Sequence, residues 1–344
     1  MKDRILAVVF VFGMGQFAYS QVISEWRNIG RTGIYNDTGL LKKWPDNGPQ
    51  LIMSVRGLAK GHSSVAIADE KLYLTGTRDN REVLMALDMT GNKLWETDFG
   101  GAWTESFPES RCTPTIDGDR IYVTSGVLDA ACISAETGNI IWSVKVNEKF
   151  EGAFGDWGKA ESPLVLDNKV FFTPAGDKTT MVALNKMTGE TIWASESLKD
   201  KSSYVSPLLV AMNGKQFIVG ETEKYIFALD PSDGRIIWKF DFGSLASAED
   251  PTNIHTVTPL FCDGNLFVTS GYDHTGVMLR LSPEGTPPTL LWSENTLDTH
   301  LGGVVKVDHY IYGSNWLSNS KGRWVCLDWN TGKAMYETRR GAIK

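Results

Sequence analysis

The sequence predicts an all-β protein, a β-propeller made of four-stranded antiparallel blades. Three observations carry this prediction. A glycine followed by an aromatic residue recurs about every 44 to 54 residues, short β-rich segments precede each recurrence, and no sustained helical periodicity interrupts them. The pattern indicates six complete blades preceded by one N-terminal closing strand, or seven or eight blades if the chain is a fragment.

The recurring glycine and aromatic residue mark the end of each repeat. The pairs are Gly91/Trp95, Gly138/Trp142, Gly189/Trp193, Gly234/Trp238, Gly285/Trp292 and Gly332/Tyr336. A single four-stranded sheet cannot cover its own two apolar faces, so neighbouring sheets stack around an axis. We therefore expect each ring to pack between two adjacent blades, beside the glycine turn of the next blade.

The segments between these pairs carry the turn and strand residues of antiparallel hairpins. Residue pairs that accept a positive φ stand in four of the predicted first turns, at Asp117-Gly118, Asp167-Asn168, Asn213-Gly214 and Asp263-Gly264. The strand after each turn is nearly continuous in apolar residues, as in Ile121-Tyr-Val-Thr124. Such runs are typical of sheets that are buried on both faces.

The N-terminus has the features of a signal peptide over residues 1–20. Two basic residues, Lys2 and Arg4, precede an apolar run that ends at Phe12, and Ala18-Tyr-Ser20 fits a cleavage site. The run is shorter than the roughly 20 residues that a membrane span requires. We predict an exported protein, periplasmic or extracellular, without a membrane span. Residues 21–60 form an N-terminal extension that ends in the closing strand, and residues 61–344 form the propeller.

Composition excludes some functional classes. With 42% hydrophobic and 22% charged residues the chain is globular, and its formal net charge of −7 argues against a nucleic-acid partner. Four cysteines in an exported protein suggest disulfides. Two of them, Cys132 and Cys326, instead occupy a repeat position that holds alanine in other blades, at Ala86, Ala183 and Ala228. We expect free, buried thiols.

One repeated segment resembles a known motif. Ala228-Leu-Asp-Pro-Ser-Asp-Gly-Arg-Ile-Ile-Trp238 resembles the A-x-D-x-x-T-G-x-x-x-W motif of quinoprotein (PQQ-type) β-propellers, with Asp233 in place of threonine. The segment from Ala183 to Trp193 matches it with Asn185 in place of aspartate. Six imperfect copies cover residues 62–338, so the resemblance extends over the whole predicted propeller.

The N-terminal extension is also similar to the leading segment of exported PQQ-repeat proteins. The similarity lies in Trp26-Arg27, Trp44-Pro45 and the stretch from Gly48 to Met53. In such relatives this stretch is a fourth strand that ends in tryptophan, and Met53 takes that place here. A fourth strand at the N-terminus implies a blade completed from the C-terminus. We therefore expect a fragment, or a propeller without the usual closure.

The resemblance implies two possible functions. Quinoprotein dehydrogenases of this type hold PQQ over Ca²⁺ at the axis with a catalytic aspartate, and commonly contain an adjacent-cysteine disulfide. This sequence has neither an adjacent cysteine pair nor a C-x-x-C-H haem motif, and no catalytic residue can be assigned. The other use is a binding platform, as in the propeller lipoprotein of the outer-membrane protein assembly machinery.

The sequence favours the binding function. We predict a monomeric binding or scaffolding module that takes a protein, peptide, small-molecule or glycan ligand at the axis or on one face. No cofactor is assured. The alternative is a PQQ-dependent oxidoreductase similar to alcohol dehydrogenases, or a degenerate relative, with PQQ and calcium as cofactors.

Candidate ligand-binding residues lie where the repeats differ from one another. First strands are innermost in a propeller, and shared Ser/Thr-Pro positions set several of them in register. We expect six residues to converge on an axial funnel, namely Arg111, Trp157, Glu161, Tyr204, His255 and His300. Two alternatives stay open. Arg111 and Glu161 would form a salt bridge that plugs the axis, and the histidines would hydrogen-bond within the channel or, less in keeping with their spacing, bind a metal.

Overall fold

The computed structural model describes residues 23–249 and 253–338. The predicted signal peptide lies outside these residues. Over the described ranges the chain is almost entirely β, with one short helix, α1, at Val146–Phe150 and two single 3₁₀ turns at Ile29–Arg31 and Gly243–Leu245. Within these ranges, every helix is too short to traverse a lipid bilayer.

Twenty-five strands form six sheets, and the prediction of six four-stranded antiparallel blades is confirmed. Strand β1 is Ile23–Ser24, and β2 to β5 of blade 1 are Ala66–Ala68, Lys71–Arg78, Arg81–Asp88 and Lys93–Gly101. Blade 2 contains β6 to β9, at Thr115–Asp117, Arg120–Thr124, Asp129–Ser134 and Ile140–Lys145. Blade 3 contains β10 to β13, at Leu164–Leu166, Lys169–Phe172, Val182–Asn185 and Thr191–Ala194.

The remaining three blades repeat the same order along the chain. Blade 4 contains β14 to β17, at Leu208–Met212, Lys215–Glu221, Tyr225–Leu229 and Ile236–Asp241. Blade 5 contains β18 to β21, at Leu260–Cys262, Asn265–Val268, Gly276–Arg280 and Thr289–Glu294. Blade 6 contains β22 to β25, at Val305–Val307, Tyr310–Ser314, Trp324–Asp328 and Ala334–Glu337.

The hydrophobic core lies between the blades. Five clusters of buried side chains each combine residues of two consecutive blades, from blades 1 and 2 through to blades 5 and 6. Within the blades, Asp167 and Asn213 adopt positive φ at the turns where the sequence predicts tight hairpins. The four cysteines are free, and all but the partly exposed Cys262 are buried.

A bulge recurs at the same place in every blade. The register between the third and fourth strands shifts just after a position that holds alanine or cysteine in five blades and Met278 in blade 5, for example between Cys132 and Ile133. Cys132 pairs with Trp142, whose ring lies against the glycine turn of blade 3. A Cβ atom added to Gly189 would approach Trp142 Cδ2 to 2.9 Å, so only glycine leaves room for the ring.

A ladder of hydrogen bonds joins the innermost strands. The amide nitrogen of Ser64 donates to Thr113 Oγ1 at 3.0 Å, and that of Thr113 donates to Ser162 Oγ at 3.0 Å. In the same way, the Ser162 amide donates to Ser206 Oγ at 2.9 Å, and the Ser206 amide donates to Thr258 Oγ1 at 3.2 Å. The Ser/Thr-Pro positions of blades 2 to 5 therefore lie at one height around the axis.

The N-terminal segment enters the centre of the ring. Strand β1 pairs with β6, the innermost strand of blade 2, through Ile23 and Ser24. Arg31 is buried and donates to the carbonyl oxygens of Ser162 and Pro163 in blade 3, at 3.1 and 3.2 Å. Arg27 donates to the Val304 carbonyl of blade 6. Residues 23–33 thus connect the inner edges of three blades.

The closing strand predicted at residues 48–53 is not formed, since the chain has no strand between Ser24 and Ala66. Leu51 and Ile52 are exposed, so no neighbouring sheet lies against them. Met53 nevertheless reaches the position that a tryptophan takes elsewhere: a Cβ added to Gly91 would lie 3.0 Å from Met53 Sδ and 2.6 Å from Val55 Cγ2. The segment covers the outer face of blade 1 without extending it.

Candidate ligand-binding site

Four of the six predicted residues form a connected group on the face where the long loops emerge. We call Arg111, Trp157, Tyr204, Glu223 and His255 the rim cluster. Arg111 Nη1 donates to the Trp157 carbonyl at 2.8 Å, and its Nη2 donates to the Phe107 carbonyl. The Trp157 and Tyr204 rings lie 6.0 Å apart. A half-buried guanidinium thus donates to the backbone of Trp157, whose ring packs on that of Tyr204.

Tyr204 holds the middle of the rim cluster. Its amide donates to the His255 carbonyl at 2.9 Å, and its hydroxyl lies against Gly155, where any side chain would collide with it. A Cβ atom added to Gly155 would also lie 3.3 Å from Glu223 Oε1, so this carboxylate faces the Gly155 backbone as well. Burial raises the pKa of Tyr204 to about 12, and the negative charge of Glu223 adds to this shift. The hydroxyl therefore stays protonated and can donate.

Two loops extend the cluster outward. The Trp103 and Phe154 rings meet edge to face with centroids 5.6 Å apart, and Ser106 Oγ donates to the Asp156 carbonyl at 3.1 Å. Phe107, on the first loop, is 65% exposed. The loops are therefore fixed to each other and present aromatic surface to the solvent.

His255 contributes through its backbone and packing. Its Nε2 is 2.9 Å from the Glu223 carbonyl, and its ring lies 5.3 Å from that of His274. Burial, with a smaller effect of His274, lowers the pKa of His255 to about 3. Both rings contact Phe242. Among the residues that the structure describes, no group of three or more His, Cys, Asp or Glu is arranged to hold a metal ion.

His300 joins a different group, at the interface of blades 5 and 6. Its carbonyl accepts a hydrogen bond from Thr256 Oγ1, which connects it to the residue after His255. Its ring packs on Tyr272 and Trp316, at centroid distances of 4.8 and 6.4 Å. The side chain therefore supports a neighbouring loop rather than the rim cluster.

Glu161 lies beneath the rim, fully buried between blades 2 and 3. It forms no salt bridge with Arg111: its Oε2 is 3.3 Å from Lys159 Nζ, and its two oxygens accept from the Thr173 amide at 3.1 and 3.2 Å. The expectation of an Arg111–Glu161 plug is wrong for a reason of strand geometry. Arg111 and Tyr204 stand two residues before the Ser/Thr of the ladder, whereas Glu161 stands one before it, so its side chain points the other way.

Blade 4 departs from the repeat just below Tyr204. In three other blades a threonine hydroxyl donates to a carbonyl of the next blade, namely that of Thr75, Thr124 and Thr269. Blade 4 carries Glu221 at the equivalent position. Burial raises the pKa of Glu221 well above its usual value, and both carboxyl oxygens have no hydrogen-bond partner among the described residues. A buried carboxyl without a hydrogen-bond partner in the described part of the chain thus lies under the rim, an arrangement that is rare in folded proteins.

The residues at the axis do not fit PQQ over calcium. Ca²⁺ requires six to eight oxygen ligands, yet the buried carboxylate of Glu161 is already occupied by Lys159 and Thr173. Arg31 extends into the same region, and its Nη2 is 3.7 Å from Glu25 Oε2. A buried arginine and lysine near the axis oppose a divalent cation.

Three residues that shape the site and the region beneath it carry no distinctive signal in the sequence. Glu223 is in a turn with no distinctive pattern, Lys159 looks like a loop residue, and Arg31 belongs to a segment that the sequence places outside the propeller. The sequence does distinguish Glu161 from Arg111, because the two residues stand at different distances, one and two residues, before the shared Ser/Thr-Pro position. No comparable signal reveals Arg31, because its position depends on where the N-terminal segment folds back.

Comparisons with known proteins agree with the fold. The chain is 23% identical over 220 residues to the outer membrane protein assembly factor BamB of Kangiella koreensis, covering 63% of this chain and 50% of that protein. It is 29% identical over 152 residues to the quinoprotein alcohol dehydrogenase PedH of Pseudomonas putida, covering 40% of this chain and 23% of that enzyme. The chain thus spans half or less of the length of these curated relatives.

Solved structures show the same architecture. The crystal structure of BamB from Moraxella catarrhalis superposes with a TM-score of 0.55 at 18% identity, covering 81% of this chain and 74% of that one. A family profile described as outer membrane protein assembly factor BamB matches residues 79–338. The chain therefore belongs to the BamB-type family of PQQ-repeat β-propellers.

Proposed function

We propose that this protein is an exported binding propeller that holds an extended peptide segment of a partner protein on its loop face. The observation that supports this most is the rim cluster, in which the half-buried Arg111 guanidinium donates to the backbone of Trp157, whose ring packs on that of Tyr204. Aromatic residues and arginine are the side chains most enriched at protein interfaces. Their positions depend on backbone contacts, so the site is largely formed before a ligand arrives.

The charge of Arg111 supports a ligand that carries a carboxylate. Among the described residues no salt bridge within 4 Å involves Arg111, and its donors meet backbone carbonyls instead. Burial lowers the pKa of Arg111, although the charge of Glu82 opposes this. An acidic residue in a bound peptide would supply the counter-charge, while the aromatic rings would contact its apolar neighbours.

The relatives support a protein partner and an exported location. One relative is named an assembly factor of outer-membrane proteins, and such a role requires binding to other polypeptides. Export by cleavage of residues 1–20, an extension over residues 21–60 and a propeller over residues 61–344 complete the proposal. A leader of this kind would deliver the mature chain to the periplasm or the medium.

The experiment is selection of short random peptides displayed on phage against the mature protein, followed by affinity measurement with one enriched peptide. We expect Arg111→Met with Tyr204→Phe to weaken binding by about tenfold or more, equivalent to about 1.4 kcal/mol. The matched control is Arg78→Met, an exposed arginine on blade 1 that pairs with Glu96. Equal binding by the rim variant, or enrichment of glycans alone on an array, would refute the peptide proposal.

The alternative, a PQQ-dependent oxidoreductase, is favoured only by the similarity to a quinoprotein alcohol dehydrogenase. Titration with PQQ and Ca²⁺ tests it in the same preparation. Calcium-dependent quenching of tryptophan fluorescence, together with reduction of an artificial dye by alcohols, would establish the alternative. The poor fit of the axial residues predicts neither effect.

A further inference from the structure

The carboxyl group of Glu82 lies in the interface of blades 1 and 2, beneath the loops of the rim. The residue belongs to β4 and is 1% exposed. Its Oε1 accepts a hydrogen bond from the Gly126 amide of blade 2 at 3.0 Å. Its Oε2 is buried without a hydrogen-bond partner among the described residues, because the nearby Ser110 hydroxyl donates to Thr75 Oγ1 instead, at 2.9 Å. Such a carboxyl is costly to ionise.

Gly126 connects Glu82 to the two loops that extend the rim cluster. A Cβ atom added to Gly126 would lie 2.7 Å from Trp103 Cβ of the first loop. The Gly126 carbonyl accepts a hydrogen bond from the Lys159 amide at 2.8 Å, two residues after Trp157. The turn that Glu82 holds therefore supports both loops.

The Glu82 carboxyl acts on the guanidinium of Arg111 across a distance longer than that of an ion pair. The charge of Glu82 raises the pKa of Arg111 more than that of Glu109 does, although burial, the largest influence, lowers it. The two Nη atoms of Arg111 donate to the carbonyls of Trp157 and Phe107 rather than to a carboxylate. Glu82 and an acidic residue of a ligand would therefore act on the same guanidinium.

Three other titratable groups lie around this interface, namely those of Cys112, Glu161 and Asp129. Burial raises the pKa of the Cys112 thiol to about 12, so the thiol stays neutral. The carboxylate of Glu161 is 3.3 Å from Lys159 Nζ, and that of Asp129 accepts from the Gly101 amide at 2.8 Å. These groups have partners of their own, whereas Glu82 acts on Arg111 from within the interface.

The charge of Glu82 changes in the neutral range of pH. Burial raises its pKa to about 7, whereas hydrogen bonding by Gly126 and the charge of Arg111 act in the opposite direction. At about pH 6 the carboxyl is mostly protonated, and at about pH 8 it is mostly ionised and partly offsets the charge of Arg111. A ligand carboxylate gains less from Arg111 in the ionised state of Glu82.

We propose that Glu82 competes with the acidic residue of a bound peptide for the charge of Arg111, so that the rim cluster binds tightly in mildly acidic solution and releases its ligand as the pH rises. This inference rests on the proposed peptide-binding function of the rim cluster. A negative group bound beside Glu82 favours the protonated carboxyl. Peptide binding near neutral pH therefore takes up protons from the solvent.

The test is calorimetric titration of the mature protein with a peptide from the phage selection that contains Asp or Glu and no histidine. The acidic side chains of such a peptide stay ionised between about pH 6 and about pH 8. We expect binding to be about fivefold or more tighter at the lower pH. The measured heat should also vary with the ionisation enthalpy of the buffer, because protons are taken up.

Two variants make the outcome specific. Glu82→Gln imitates the neutral carboxyl, so it should bind at both pH values about as tightly as the unchanged protein does at the lower one. Glu105→Gln is the matched control, because it removes a carboxylate from an exposed position on the first loop, and it should keep the pH dependence. If Glu82→Gln does not fold, proton uptake by the unchanged protein decides the question.

The outcomes separate this inference from the proposed function. Equal affinity of the unchanged protein at both pH values, or a pH dependence that persists in Glu82→Gln, would overturn the inference and leave peptide binding in place. Undiminished binding by Arg111→Met with Tyr204→Phe would refute the proposed function instead, whatever the pH dependence.

Discussion

The interface between blades 2 and 3 is built from strands, whereas the residues of the rim cluster lie in the segments between strands, and the two regions follow opposite rules. At the interface, apolar side chains repeat from blade to blade and are buried, as with Tyr122 and Trp142. At the rim, the residues differ from blade to blade, and Arg111, Trp157 and Glu223 are partly exposed, whereas Tyr204 and His255 are buried. The difference indicates that the repeat specifies the fold, whereas departures from it mark the candidate site.

This comparison separates stability from binding. A side chain that only fills an interface affects the free energy of unfolding and leaves the loop face unchanged. The Arg111 side chain of the rim is partly exposed and donates to backbone carbonyls, so its removal should cost little stability but remove a contact to the proposed ligand. The following variants test each side of the comparison.

The largest expected effect is on the interface. Trp142→Ala leaves a cavity beside Gly189 and removes the hydrogen bond to Lys186, so the free energy of unfolding should fall by about 3 to 5 kcal/mol. The matched variant Tyr336→Ala, at the same repeat position in blade 6 but 47% exposed, should cost less than about 1 kcal/mol. Urea denaturation measures both, and equal losses would show that blade 6 is covered in solution.

A slightly smaller loss is expected from the buried ion pair. Lys159→Met leaves the Glu161 carboxylate without its charged partner at 0% exposure, which should cost about 3 kcal/mol at neutral pH. The double variant Lys159→Met with Glu161→Leu should recover most of this stability. Failure of the second change to restore stability would mean that Lys159 acts through its contact with the Thr173 carbonyl.

A pH-dependent effect is expected at Glu82, below Arg111. Burial raises its pKa to about 7, so between its ordinary value of 4.5 and pH 7 the folded state binds more protons than the unfolded state. Stability from this group is therefore complete at acidic pH and is lost as the pH rises toward 7. Glu82→Gln should flatten the stability profile in that window by on the order of 1 to 3 kcal/mol. An unchanged profile in thermal melts would contradict the assignment.

The smallest stability effect is expected at the rim. Arg111→Met removes hydrogen bonds to the carbonyls of Trp157 and Phe107, both of which lie near solvent that can replace the donor. The free energy of unfolding should change by less than about 1 kcal/mol. A loss of unfolding free energy as large as that expected for Trp142→Ala would show that Arg111 is a structural residue.

The sequence was sufficient to predict the blades because their repeat is local. Gly189 and Trp142 belong to turn and strand patterns that recur, and each recurrence supports the others. The repeat also predicts the position of Met53 against Gly91. The strand expected around Met53 is absent, because Leu51 and Ile52 have no sheet to pair with.

The candidate site was predictable only in part. Arg111 and Tyr204 both stand two residues before the Ser/Thr of the ladder, whereas Trp157 and His255 stand five and three residues before it and join the cluster from longer segments. Glu161 stands one residue closer to the ladder than Arg111 does, so its side chain points to the opposite side. His300 instead packs on the aromatic rings of Tyr272 and Trp316. Arg31 reaches the axis through a fold-back of the N-terminal segment, a long-range contact that no local pattern encodes.

Calorimetric titration of the selected peptide into Arg111→Met and Trp142→Ala distinguishes a loop face that binds from interfaces that stabilise. We expect Arg111→Met to weaken affinity by about tenfold with little change in stability, and Trp142→Ala to keep full affinity below its lowered unfolding temperature. Retained affinity in Arg111→Met, together with lost affinity in folded Trp142→Ala, would contradict this distinction.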